Sequence, residues 1–109
     1  MPESFERGAL TEAVFYILLL LHERKHGYAI MQDIEKLTGG RVTLGAGTLY
    51  GAINALVQKR WIAAVTSEED SRKEDSRKKE YEITEAGRAA FKGELSRLGE
   101  LLRDGESVK

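Results

Sequence analysis

Residues 22–26 spell His22-Glu23-Arg24-Lys25-His26, a literal H-E-x-x-H. On an unbroken helix this spacing turns two imidazoles to one face, where they can hold a zinc ion while the glutamate serves as general base. The surroundings argue against that chemistry. Gly27 follows at once, and the long apolar run Ala13 to Leu21 ends just before, so a first helix should finish inside the motif and part the histidines. The sequence holds 2 histidines in all, so a third ligand would have to be a carboxylate, and with 0 cysteines there is no thiolate site or disulfide framework. A surface turn, with His26 at the start of a second helix, is the preferred reading. No enzyme activity, metal or cofactor is expected.

A second set of residues suits nucleic acid. The formal net charge is −1, but between Glu35 and Glu68 there is no acidic residue, while Lys36, Arg41, Lys59 and Arg60 fall in that span. Arg72, Lys73, Arg77, Lys78 and Lys79 follow, interleaved with Glu68, Glu69, Asp70, Glu74 and Asp75. A molecule neutral overall can thus carry one positive face. Inside the acid-free span, Gly47, Thr48, Gly51, Asn54, Ala55 and Gln58 lie opposite the apolar stripe Leu49, Ile53, Leu56 and Val57. Thr48 and the first amides of such a helix can hold a phosphate. Asn54 has the paired donor and acceptor that read an adenine edge, and Gly51 lets the backbone approach a groove. Arg41, Lys59 and Arg60 are candidate phosphate clamps, and the five later bases are candidate backbone contacts.

The elements that must position these groups follow from periodicity. Thr11 caps a helix over Thr11 to Glu23 that is apolar on nearly every side and needs cover all round. Ile30, Ile34 and Leu37 give a second helix over Tyr28 to Leu37, stopped by Gly39-Gly40. Val42 to Leu44 reads as a short extended piece, and the helix carrying Asn54 runs from about Thr48 to Lys59. Two strands, Trp61 to Thr66 and Glu80 to Thr84, flank the charged loop, with Trp61 a core residue at the hairpin's base. Thr84 caps a last helix, ended by Gly105, in which Phe91, Leu95, Leu98 and Leu102 form a short heptad seam.

Three helices and a basic-tipped hairpin describe a winged helix-turn-helix: mostly α, with a small β-hairpin wing and a C-terminal dimerisation helix. A chain of 109 residues has a thin core, so the seam is expected at a homodimer interface, against Phe15 and Leu18 of the partner's first helix. The division expected is 1–84 for DNA binding and 85–109 for dimerisation. Met1 to Glu6 is polar and acidic, unlike a signal peptide, and the apolar run is far short of the ~20 residues that span a bilayer, so a cytoplasmic location is expected.

Three stretches also resemble the PadR-like transcriptional regulators, in their short form: His26-Gly27-Tyr28-Ala29-Ile30, Leu44-Gly45-Ala46-Gly47-Thr48-Leu49-Tyr50-Gly51-Ala52-Ile53, and Lys79-Glu80-Tyr81-Glu82-Ile83-Thr84-Glu85-Ala86-Gly87. Their order and spacing agree from about residue 11 to 102. The resemblance implies a homodimer on two-fold-related double-stranded DNA, acting as a repressor released by a small molecule. It implies a DNA contact for Tyr50, through its hydroxyl on a phosphate or its ring against sugar, and a ligand cavity between subunits for which Phe15, Tyr16, Leu95 and Leu98 are candidates. Two departures stand out: Ala46 occupies a position often held by proline, and acids dilute the basic loop before Tyr81. The alternative function is a winged helix that uses the same surface to grip a protein.

Overall fold

The computed structural model describes residues 9–65 and 79–108. Its elements are α1 (Glu12–Leu20), β1 (Lys25–His26), α2 (Gly27–Leu37), α3 (Ala46–Gln58), β2 (Ile62–Val65), β3 (Glu80–Ile83) and α4 (Glu85–Glu106). The three strands form one antiparallel sheet in the order β1-β3-β2. This is the winged-helix arrangement.

Local chemistry sets most boundaries. Thr11 caps α1 by accepting a hydrogen bond from Val14 N at 3.1 Å. Gly39 and Gly40 close α2 at φ +62° and +83°, with Gly40 N donating to Glu35 O at 2.8 Å, the Schellman pattern that glycine favours. α3 ends in the same pattern, Trp61 N donating to Leu56 O and Arg60 N to Val57 O, but the left-handed residue is Arg60 at φ +67°. Thr84 caps α4 by accepting from Gly87 N at 3.1 Å, and its hydroxyl donates to Arg60 O at 2.6 Å. One threonine thus fastens the end of α3 to the start of α4.

Two expectations about elements fail. Val42 to Leu44 is not a strand: Val42 N is taken by Thr38 Oγ1 at 3.0 Å, so the segment stays a local turn. The third strand lies instead at Lys25–His26, in the stretch read as a polar break. Its residues are poor β-formers, and what places them is the free edge of β3, where Arg24 meets Glu82 at 3.6 Å and His26 meets Glu80 at 3.5 Å. The last helix also continues through Gly105 to Glu106.

The core gathers Ile17, Leu18 and Leu21 of α1, Ile30 and Ile34 of α2, Leu49, Ile53 and Leu56 of α3, Ile62, Tyr81 and Ile83 of the sheet, and Phe91 of α4. The apolar α1 is covered by α2 on one side and α4 on another. Phe15, Tyr16, Leu19 and Leu20 remain half-buried. Glu94 is the buried acid of the core, at 2% exposure. It accepts Leu10 N at 3.2 Å and takes both arms of Arg97 at 2.7 Å, pairings that offset its desolvation. Beyond Glu94, α4 leaves the subunit. Its 22 residues span about 33 Å at helical rise, and Leu95, Leu98, Leu101 and Leu102 stand exposed along it.

Candidate nucleic-acid interface

α3 turns one face inward and leaves the other open. Leu49, Ile53 and Leu56 are buried, whereas Gly47, Thr48, Gly51, Asn54, Ala55 and Gln58 are exposed, at the three- and four-residue spacing of one helical stripe. The glycines on this side are not imposed by packing. A Cβ built at Gly45, Gly47 or Gly51 meets nothing within 4 Å. Gly51 in particular sits mid-helix, where glycine costs roughly 0.5–1 kcal/mol relative to alanine, and no neighbour among the described residues requires it.

The start of α3 is suited to an anion. Gly45 is its N-cap, no side chain caps it, and its first turn holds no acid. The leading N–H groups and the positive end of the helix dipole therefore face outward together. At the other end, about 20 Å away along 13 residues, Lys59 lies over the Trp61 ring at 5.3 Å and Arg60 is the left-handed cap. These two bases flank the foot of the hairpin, well separated from Thr48.

Tyr50 turns its hydroxyl inward. It is half-buried, its ring lies where a Cβ on Gly27 would come within 2.8 Å of Cε1 and Oη, and its hydroxyl is buried with no hydrogen-bond partner among the described residues. The hydroxyl is buried within the subunit, and the phenol of Tyr81 is pushed above its ordinary pKa by burial first and by Tyr50 second. A phosphate contact through that hydroxyl is therefore absent from this conformation. Arg41, expected as a clamp, is engaged by α1: its guanidinium donates to Glu12 Oε2 at 2.7 Å and to Tyr16 Oη at 3.1 Å. Lys79 is half-buried at the foot of β3, and Arg72, Lys73, Arg77 and Lys78 lie outside the described residues.

The expected dimer face also divides. Leu95, Leu98 and Leu102 are exposed, as is Leu101, which the heptad reading passed over although it adjoins Leu102. Leu18 and Phe91 do not belong with them. Leu18 is fully buried and Phe91 nearly so, and Phe91 stacks on Phe15 with centroids 4.9 Å apart. Both serve the subunit's own core, because the first half of α4 packs on α1 before the helix departs. Of the ligand candidates, Phe15 and Tyr16 touch edge to face at 5.6 Å on α1, while Leu95 and Leu98 lie on the departing half of α4.

The two histidines are parted. α1 stops at Leu20, His22 Nδ1 approaches the Leu18 and Leu19 carbonyls at 2.9 and 3.1 Å, and the ring meets Phe91 edge-on at 5.0 Å. His26 stands on β1 at the N-cap of α2, where its side chain makes no capping hydrogen bond. Among the described residues no group of three or more acidic or imidazole side chains is placed to hold a metal ion. None of the described helices is long and apolar enough to cross a membrane.

Known proteins agree with this geometry. No curated protein matches the chain. Among solved structures it is similar to a transcriptional regulator from Clostridium thermocellum, at 26% identity and TM-score 0.73 over 89% of this chain and 90% of that one. It shares its fold with a PadR-like transcription factor from Bacteroides fragilis, at 22% identity and TM-score 0.72 over 99% and 98% of the two chains. The same holds for a PadR family regulator from Eggerthella lenta, at 24% and 0.67 over 98% and 86%. The model of the PadR-like family of transcriptional regulators matches residues 17–93, which include α2, α3, the sheet and the start of α4. The chain belongs to the PadR-like family and is a transcriptional regulator, not an enzyme.

Proposed function

We propose that the protein is a homodimeric, sequence-specific DNA-binding repressor whose hold on DNA responds to a small molecule. The observation that carries this reading is the outward face of α3. It is acid-free, lined with small and polar residues, and includes glycines that no contact among the described residues demands. Such a face lets a helix enter a major groove closely. In this reading the amides at Gly47 and Thr48 receive a phosphate, and Asn54 reads a base edge. Residues 1–84 bind DNA and 85–109 dimerise.

The exposed leucines of α4 support the dimer. A helix end carrying Leu95, Leu98, Leu101 and Leu102 with no cover is an apolar surface of the kind that marks an interface. Pairing through it places two α3 helices in one particle, as a two-fold operator requires. Repression then follows by occupancy of a promoter. A small molecule seated between subunits, near Phe15, Tyr16, Leu95 and Leu98, would shift the spacing of the two α3 helices and release the DNA.

A gel-shift series against the upstream DNA of its own gene, at two salt concentrations, tests the reading. The expected result is a discrete complex that weakens as salt rises, since each neutralised phosphate releases counterions. No complex with any promoter fragment at low salt would remove it. Changing Asn54→Ala should relax preference at one base pair, by roughly 1–3 kcal/mol of discrimination.

A further inference from the structure

Arg41 belongs to the short segment that leads from α2 into α3, and its side chain crosses to α1. Glu12 and Tyr16, one helical turn apart on α1, present a carboxylate and a phenol to the two arms of its guanidinium, at 2.7 and 3.1 Å. The carboxylate pairing raises the already high pKa of the guanidinium, so Arg41 keeps its charge. The contacts span 29 and 25 residues of sequence, so they join parts of the fold that the chain itself does not hold together. Behind the seat, Tyr16 meets Phe15 edge-on and Phe15 stacks on Phe91 of α4. Ahead of it, Val42 and Leu44 pack on the core and Gly45 caps α3.

We propose that Arg41 is a positioning residue that braces the approach to α3 against α1, and that it acts on DNA through α3 rather than by touching a phosphate. This rests on the DNA-binding reading above. The brace helps fix where the N-terminus of α3 sits relative to the aromatic cluster of α1 and α4, so it adds to the shared core a polar route from Phe15 and Tyr16 to the groove-facing helix. Glu12 and Tyr16 are thereby assigned to the DNA-binding function although neither lies near the exposed face of α3. Because the ion pair is exposed, its effect is modest and graded.

The test pairs Arg41→Ala, Glu12→Gln and the double variant, and uses two readouts. The first is amide hydrogen exchange over residues 42–48 in the free protein. Each single variant should speed exchange there by roughly two- to fivefold, the range of exposed ion pairs, and the double variant should add nothing further. The second is DNA affinity across a salt series. Both singles should weaken binding by a similar factor, with the slope of log affinity against log salt unchanged. If Arg41 instead grips a phosphate, Arg41→Ala flattens that slope by about 0.9, while Glu12→Gln frees the guanidinium and tightens binding. Either of those results overturns the brace. Unaltered exchange in 42–48 overturns it too, even if the wild-type protein binds no DNA. If the wild-type protein binds no DNA while the exchange effect is intact, the DNA reading fails and with it Arg41's action on DNA, and only its bracing of the approach to α3 survives.

Discussion

The same substitution at two glycines of α4 should have opposite signs. Gly87 is the third residue of the helix, where its amide donates to the Thr84 cap. A Cβ built there would lie 2.1 Å from the Trp61 carbonyl oxygen, 2.7 Å from Ile83 Cγ1 and 3.0 Å from the Trp61 carbonyl carbon. The nearest obstacle is backbone, and that carbonyl is itself committed, accepting Thr84 N at 2.9 Å. Gly87→Ala must therefore push the start of α4 away from the base of the hairpin. Overpacking of this kind costs ~1–3 kcal/mol or more, and the strained Thr84–Trp61 hydrogen bond adds ~0.5–1.5 kcal/mol. Better helix propensity returns ~0.5–1 kcal/mol. The net loss is about 2 kcal/mol, which for a domain of this size lowers Tm by about 10 °C. At Gly93, on the same helix, a Cβ meets nothing within 4 Å. Gly93→Ala should then raise stability by ~0.5–1 kcal/mol. Thermal and urea unfolding of both variants, at one fixed protein concentration because the stability of the proposed dimer would depend on it, gives the answer. A Gly87→Ala protein that melts at or above the wild type would refute the packing argument at the α3–sheet–α4 junction.

Three further outcomes follow from single side chains. Tyr50→Phe removes a buried hydroxyl that has no partner among the described residues. It should stabilise the protein by roughly 1 kcal/mol, within the cost of an unsatisfied group, as read by chemical denaturation. Arg60→Gly relieves a left-handed backbone at φ +67°. It should gain about 1 kcal/mol in the same assay. Glu94 is held below the ordinary carboxylate pKa by its hydrogen bonds from Arg97, with Leu10 N assisting against desolvation. A lowered folded pKa means that the unfolded chain binds the extra proton first as pH falls. The stabilising contribution is thus full above the unfolded pKa and is lost on descent through the folded one. Glu94→Gln should be less stable than wild type at neutral pH, and the gap should close under strong acid. A gap independent of pH would show that the carboxylate's charge is not what matters.

What the sequence made legible was whatever local chemistry decides. The caps at Thr11 and Thr84, the glycine stop after Leu37 and the inward stripe Leu49, Ile53 and Leu56 all follow from propensity and period. What escaped depends on distant partners. Lys25 and His26 form a strand only because the edge of β3 lies beside them. Arg41 is positively charged in an acid-free span, yet its carboxylate comes from Glu12, 29 residues earlier. Phe91 fits a heptad with Leu95 and Leu98, but the seam is shared between two tasks, and only the position where α4 leaves α1 tells which residues serve which. Glu94 is buried because Arg97 and Leu10 N meet it there, a pairing that alternation of apolar residues cannot reveal. Tyr50 sits at the seam of α3, and whether its ring turns in or out is settled by the space above Gly27.

The two halves of α4 tie subunit stability to assembly. Gly87, Phe91 and Glu94 anchor its first half in the core. The leucines beyond them stand exposed among the described residues, and a free helix end gains little stability from propensity alone. A helix anchored at one end and apolar at the other holds its outer half rigidly only if a second surface covers it. In the proposed dimer the anchor therefore fixes the direction in which the apolar half projects, and that direction fixes the distance between the two α3 faces. Thr84 carries this alignment at its origin, since its hydroxyl receives the first-turn amide of α4 and grips the carbonyl that ends α3. Thr84 thus contributes to the angle between α3 and α4 through hydrogen bonds of 2.6 and 3.1 Å, beside the packing of Gly87 on Trp61. If the proposed dimer forms, the spacing of its two α3 helices becomes a property of the α3–α4 junction as much as of the leucine surface.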